Sequence, residues 1–367
     1  MKKIAFIINS LNSGGAERVL STLANSLIGK YQISIITFTN TPPFYPLDSK
    51  IEVFPCKEKI SPSNNILEAL KTNYQLYLRI REICKEISPD ILVAFMTTAN
   101  VLGTLAAKSF GVPIIISERN NPNMDYTPFF WKIMKRITYP NANKLIVQTE
   151  LIKNFYSTWI KESKIAILPN PISSIHIDYR KKYSLKRENI ILSVGRLSFQ
   201  KGQDVAIKSF ASLNPPNWKL HIIGEGPDRQ KLNDLIQELK MQDKIILLGR
   251  RKNISEYYLK SKIFVFPSRF EGFPNALIEA MYFGLACISA NCPTGPSELI
   301  KHGDNGFLFE TDNVEEISGL LSLLIEKEGV LSKIGDKAYN SLDHLEEENV
   351  VSKWKALIDD NLNKVIH

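Results

Sequence analysis

The chain has 367 residues, 44% of them hydrophobic and 23% charged, with a formal net charge of +8. That length suggests about two domains at ~100–200 residues each, and aliphatic residues recur throughout, which argues against disorder. No apolar run approaches the ~18 residues that span a bilayer, and the run after Lys3 stops at Asn9, short of the ~7–15 residues of a signal-peptide core. Any membrane contact is therefore expected to be peripheral.

The excess charge is unevenly placed. Residues 1–170 hold 20 Lys+Arg against 12 Asp+Glu, and residues 171–367 hold 26 of each. An anionic partner for the first half, whether phosphate, membrane surface or nucleic acid, would account for this; so would a plain lysine-rich surface. No nucleic-acid-binding module is visible. Cys56, Cys84, Cys287 and Cys292 form no C-x-x-C pair, which fits a reducing compartment.

Short apolar runs alternate with helical patterns. Residues 4–8, 33–38, 91–95, 113–117 and 144–148 read as buried strands. Between the first two, Ala16, Val19, Leu20, Leu23, Ala24, Leu27 and Ile28 recur with a helical period, and Gly29 suits the stop. Residues 66–87 also read as a helix. A second strand series covers 190–195, 218–224, 244–249, 262–267 and 286–290. Alternating strands and helices predict parallel sheets covered on both faces, and two series predict two such domains. The polar stretch 168–190, with two prolines, reads as the linker.

In open parallel sheets, ligands bind beyond the carboxyl ends of the strands. After the first strand, Gly14 and Gly15 precede a helix; they suit either an anion at its N-terminus or a simple tight turn. After the strand ending at Val194, Arg196 and Lys201 lie in a loop closed by Gly202. They offer a guanidinium fork and a point charge for a diphosphate, or merely a solvated basic loop. After 262–267 comes SRFEGFPNALIEA. Gly272 and Pro274 bar a continuous helix, so a helix is expected from Asn275 to Phe283, with Gly284 at its end. Glu271 then sits in the preceding loop and Glu279 one turn inside. The N–H groups of Asn275, Ala276 and Leu277 are expected to point outward and favour an anion. Two carboxylates flanking such a site fit a nucleotide sugar; two surface glutamates are the plain alternative.

Taken together, GGAERV (14–19), GRLSFQKG (195–202), RFEGFPNALIEAMYFG (269–284) and GPSELIKHGDNGFLF (295–309) resemble glycosyltransferase family 4. The resemblance implies an α/β chain of GT-B fold, two Rossmann-like domains facing across a cleft. Residues 1–170 would take the acceptor, 171–350 the nucleotide sugar, and 351–367 would be a helix packing back on the N-terminal domain. Glu271 and Glu279 match the family's E-x7-E element. By that resemblance Glu271 would contact hydroxyls of the transferred sugar and Glu279 the ribose, while Arg196 and Lys201 would neutralise the departing diphosphate. Gly14 and Gly15 would give acceptor and phosphate room. Gly249 and Arg250 would meet the base, and Phe273, Pro274, Asn275, Ala276 and Leu277 would complete the anion site. Many members carry a histidine in the N-terminal domain. Here no His precedes His176, and Ser117, Glu118, Arg119 and Asn120 stand in its place. Glu118, Arg119 and Asn120 either position the acceptor or are structural.

The family implies a retaining transfer in which positioning and charge stabilisation do most of the work. There is no D-x-D motif and no His/Cys cluster of metal-ligand spacing, so no metal or other cofactor is expected beyond a UDP-sugar donor. GGAERVLSTLAN and IISERNNP look most like enzymes that extend polyprenyl-diphosphate-linked glycans, N-acetylgalactosaminyl or hexosyl transferases of bacterial surface polysaccharide or glycoprotein glycan assembly. In TPFFWKIMKRITYP (127–140), Phe129, Phe130, Trp131, Lys132, Lys135 and Arg136 suit contact with anionic lipid, which would hold the protein on the cytoplasmic membrane face; a helix packed on the sheet is the plain reading. A nucleotide-sugar epimerase of the same fold, a non-catalytic membrane binder and an inactive transferase are the rivals. The last would be expected to have lost Glu271 or Lys201.

Overall fold

The computed structural model describes residues 1–61, 65–122 and 127–363. The chain forms two compact units: Met1–Pro171 with the segment from Glu348 onward, and Ile172–Glu347.

In the first unit the elements are β1 (Lys3–Ile8), α1 (Gly15–Leu27), β2 (Gln32–Thr39), β3 (Glu52–Lys57), α2 (Ile66–Ile87) and β4 (Ile91–Phe95). There follow α3 (Thr97–Phe110), β5 (Ile114–Ser117), α4 (Phe129–Thr138), β6 (Lys144–Val147), α5 (Glu150–Ser157) and β7 (Ile165–Ile167). The sheet order is β3-β2-β1-β4-β5-β6-β7, and all pairings are parallel. Side chains alternate across it, so each strand feeds two cores. Ala5 and Ile7 of β1 and Leu92 and Ala94 of β4 pack with α2, α3 and α5. Ile4, Phe6, Ile8, Val93 and Phe95 pack with α1 on the other face. That second face also receives Val350, Trp354, Ile358 and Leu362 of the last helix, with Trp354 stacked on Phe95. Apolar residues on both faces are what parallel sheets demand.

The second unit contains α6 (Ser174–Lys182), β8 (Ile190–Val194), α7 (Gln203–Leu213), β9 (Lys219–Ile223), α8 (Arg229–Glu238), β10 (Ile245–Gly249) and α9 (Ile254–Lys260). It continues with β11 (Ile263–Phe266), α10 (Asn275–Tyr282), β12 (Ala286–Ala290), α11 (Pro296–Leu299), β13 (Phe307–Phe309), α12 (Val314–Glu326) and α13 (Glu328–Asn340). The last helix, α14 (Glu347–Asn363), is the one packed in the first unit; residues 364–367 of the expected C-terminal helix lie outside the described residues. The sheet order is β10-β9-β8-β11-β12-β13, again parallel. Strand order reverses between β8 and β11, so the loops after these two strands open a crevice at the switch point.

All ten expected strands are present; β3, β7 and β13 were not expected. Each of these three lies at a sheet edge. β3 is half-exposed and contains Pro55, and β7 and β13 have three residues each. Edge strands need neither length nor two apolar faces, so they leave little pattern. The stretch read as a linker contains α6, whose His176 is buried. Among the described residues, no helix is long and apolar enough to cross a membrane.

Candidate active site

At the switch point of the second unit, the loop after β8 turns through Phe199–Lys201 and closes on Gly202 at φ +62°. A Cβ on Gly202 would lie 2.1 Å from the carbonyl oxygen of Pro267, so only glycine lets this loop lean on the end of β11. The two loops are then stitched together. The Arg269 amide donates to Gln200 O at 2.8 Å, Gln200 Nε2 donates to Phe270 O at 2.9 Å, and Arg269 Nη1 donates to Phe199 O at 2.6 Å. The Arg269 guanidinium also forks onto Asp204, at 3.1 and 2.9 Å, at the start of α7.

This stitching brings Lys201 and Glu271 together. Lys201 Nζ lies 2.6 Å from Glu271 Oε1. Glu271 is only 5% exposed, which excludes the surface-glutamate alternative. From the loop after β12, Thr294 Oγ1 donates to the Glu271 carbonyl. Arg196 is exposed in the loop after β8, and its guanidinium joins no ion pair among the described residues. Glu279 is buried on α10. Its Oε2 accepts from Tyr258 Oη at 3.1 Å, and its Oε1 lies 3.5 Å from His176 Nε2. Gly249 ends β10 and Arg250 follows it, with Gly249 O accepting from the Gly224 amide just after β9. They share the carboxyl edge of the sheet with Lys201 and Glu271 but lie two strands away from β8.

The start of α10 is less open than expected. The Asn275 amide donates to Phe273 O at 3.0 Å and the Leu277 amide to Pro274 O at 3.0 Å. An i→i−2 turn at Asn275 and an i→i−3 bond at Leu277 have used these donors, and the Leu277 side chain is fully buried. Leu277 therefore offers an anion nothing; the Ala276 N–H is the donor left for that role. Phe273 is half-buried and Pro274 buried.

In the first unit the expected residues fare differently. Glu118 is fully buried, and its Oε2 meets Thr97 Oγ1 at 3.0 Å, Tyr139 Oη at 2.7 Å and Lys135 Nζ at 3.0 Å. The Arg119 amide donates to Oε1 at 3.2 Å. This sealed knot favours the structural alternative for Glu118 and corrects one expectation: Lys135 is buried against it and not on an exposed face. Burial beside Glu118 pushes the Tyr139 hydroxyl well above its usual pKa. Arg119 is buried against the rings of both Phe95 and Trp354, with Nη1 donating to Asn170 Oδ1 at 2.6 Å. Burial lowers its pKa to about 9. Asn120 is half-buried. A Cβ on Gly14, the N-cap of α1, would run into the carboxylate of Glu17, whose pKa burial raises; Gly15 opens the helix, exposed.

On α4, Trp131 packs inward with Met134, as does Lys135. The outer face carries Phe129, Phe130, Lys132, Ile133, Arg136 and Ile137, all exposed, and Arg136 lies 4.5 Å over the Trp159 ring. Sequence reasoning missed Ile133 and Ile137, as well as Glu17, His176, Tyr258, Thr294 and Arg269 in the sites. The α4 faces could have been sorted, because Trp131, Met134, Lys135 and Thr138 follow i, i+3, i+4, i+7 spacing.

Residues 13–174 match the family model Glycosyltransferase Family 4, and residues 176–341 match Glycosyl transferases group 1. A Campylobacter jejuni protein is 31% identical over 98% of this chain and 98% of its own. Its name is GalNAc-alpha-(1->4)-GalNAc-alpha-(1->3)-diNAcBac-PP-undecaprenol alpha-1,4-N-acetyl-D-galactosaminyltransferase. The chain belongs to glycosyltransferase family 4. Among solved structures, sucrose-phosphate synthase from Thermosynechococcus elongatus matches this family 4 chain with a TM-score of 0.83 at 15% identity, covering 98% of this chain and 99% of that one. Anabaena HepE in complex with UDP matches with a TM-score of 0.79 at 18% identity, covering 98% and 100%. The two parallel-sheet units have the GT-B fold.

In this family 4 glycosyltransferase the second unit presents a cation, a buried carboxylate and an exposed guanidinium around one crevice. A lysine already paired with a carboxylate can turn its remaining donors to phosphate oxygens. The carboxylate has further acceptor positions that suit sugar hydroxyls.

Proposed function

We propose that the protein is a retaining, metal-independent hexosyltransferase. It moves a sugar, N-acetylgalactosamine or another hexose, from a UDP-sugar onto a polyprenyl-diphosphate-linked glycan. The Lys201–Glu271 pair at the switch point of the second unit carries this reading. The named acceptor of the Campylobacter jejuni relative supports the polyprenyl-diphosphate class, and the UDP complex of Anabaena HepE supports the donor class.

In this reading Glu271 binds hydroxyls of the transferred sugar and Glu279 the ribose. Arg196, Lys201 and the Ala276 N–H stabilise charge on the diphosphate. The acceptor oxygen bonds to the anomeric carbon on the face from which the diphosphate leaves, and its proton passes to the departing phosphate oxygen. The rate gain comes from charge placed in advance where it develops in the transition state. Peripheral attachment to the cytoplasmic membrane face would use the outer face of α4, where aromatic and aliphatic side chains flank Lys132 and Arg136.

Calorimetric titration of UDP, GDP, ADP and their sugar conjugates tests the donor assignment. One UDP-sugar should bind selectively, and Glu279→Ala should weaken it. Equal UDP affinity in the variant would remove the ribose role. Product stereochemistry and turnover in EDTA test the retaining and metal-independent terms. Conversion of the donor without any acceptor would instead favour an epimerase.

A further inference from the structure

Glu279 is gripped by groups that no nucleotide motif contains. We infer that His176, on the first helix of the second unit, is a positioning residue that sets nucleotide affinity by orienting the Glu279 carboxylate. The inference rests on the reading of Glu279 as a ribose contact.

His176 is buried, and both ring nitrogens face polar groups. Its Nδ1 lies 2.8 Å from Ser255 Oγ on α9, and its Nε2 lies 3.5 Å from Glu279 Oε1. Tyr258 Oη, also on α9, donates to the other carboxylate oxygen at 3.1 Å. Each oxygen of Glu279 thus meets a group from a different helix. The ring itself is boxed in. It stands edge-on to Tyr258 at 6.0 Å and to Phe283 at 5.6 Å, and those two rings stack on each other at 5.5 Å. An aromatic box of this kind leaves the imidazole little freedom to turn.

When the Ser255 hydroxyl donates to Nδ1, the ring proton is on Nε2, facing Glu279. This is the way an outer hydrogen bond fixes a histidine tautomer. A carboxylate has about four lone-pair positions. Tyr258 takes one of them, and the His176 ring edge stands beside the other oxygen, so the two together set the plane of the group. A carboxylate held in one rotamer loses less entropy when it binds. The contact acts on the nucleotide in the ground state and the transition state alike. It should therefore change KM and Kd rather than kcat.

Three variants test this: His176→Phe, which keeps the ring in its box without nitrogens; His176→Gln, which keeps an N–H near the Nε2 position; and Ser255→Ala. The readouts are UDP Kd by calorimetry, donor KM and kcat, and Tm. His176→Phe should raise Kd and KM about 5- to 20-fold with kcat within about twofold. His176→Gln should recover most of this, and Ser255→Ala should raise Kd about 2- to 5-fold. In a Glu279→Ala background, His176→Phe should add nothing further. Unchanged Kd in His176→Phe, or a loss confined to kcat and Tm, overturns the inference while leaving the Glu279 reading intact. If His176→Phe fails to fold, unchanged Kd in Ser255→Ala overturns it equally. Wild-type UDP affinity in Glu279→Ala would overturn the underlying reading instead.

Discussion

Each half of the chain buries a glutamate just beyond a strand and sets a lysine against it, yet the two pairs are built for different ends. Glu118 follows β5, away from the switch point of its sheet, and Lys135, Tyr139, Thr97 and the Arg119 amide surround it. The Lys135 side chain is 9% exposed. Glu271 follows β11, directly beside β8, and the Lys201 side chain is 21% exposed. One pair is closed on itself; the other keeps a partly accessible ammonium at a crevice. A buried ion pair is weak evidence for function or for stability until its remaining donors are followed.

Breaking the closed pair should have the largest effect. Lys135→Ala leaves a buried carboxylate without its cation and should cost about 3–5 kcal/mol of unfolding free energy, read from denaturant midpoints. If the loss is under about 1 kcal/mol, the Glu118 knot is not what holds this corner together. In the open pair, Glu271→Ala should lower turnover by about 10²–10³-fold, the scale of removing a transition-state contact, with UDP affinity nearly unchanged. Unaltered turnover would return Glu271 to the role of a merely structural glutamate.

The outer face of α4 sharpens the same contrast, because Lys132 and Arg136 are exposed where Lys135 is not. Reversing both charges with glutamate, a change of four charge units, should weaken binding to anionic vesicles by about 100- to 1000-fold, at ~1 kcal/mol per charge near the surface. Binding that persists would rule out this face as the membrane contact. The smallest effect concerns the loop stitching. Burial is the largest single influence on the Asp204 carboxylate and works against its charge, but the Arg269 hydrogen bonds and charge, with smaller contributions from the backbone and Lys208, together hold its pKa below the usual range. A depressed folded pKa contributes stability that is present above the unfolded value of about 4 and is lost as pH falls through the folded one. Asp204→Asn should therefore cost about 1 kcal/mol at pH 7 and flatten the acid limb of the stability curve. Parallel acid limbs in the two proteins would contradict the assignment.

Much of this architecture is legible in the sequence because parallel strands buried on both faces are continuous apolar runs. The bend at Gly272–Pro274 similarly marks the loop that lifts Glu271 away from α10. What stays hidden depends on long-range contact. Nothing near His176 signals Glu279, and α6 has too weak an apolar stripe to stand out from a linker. The amides of Asn275 and Leu277 looked open because a helix start leaves donors unpaired in general; here a tight turn used two of them. Glu118 sits after a strand, as Glu271 does, and position alone could not tell a sealed knot from a crevice.

The most direct measurement is the turnover of Lys201→Ala beside its unfolding midpoint, assayed with a donor and acceptor that the wild type uses. The account predicts a loss of about 100-fold or more in turnover per folded molecule, beyond whatever stability is lost by leaving the buried Glu271 without its cation. Wild-type turnover, or a loss explained entirely by unfolding, would contradict it.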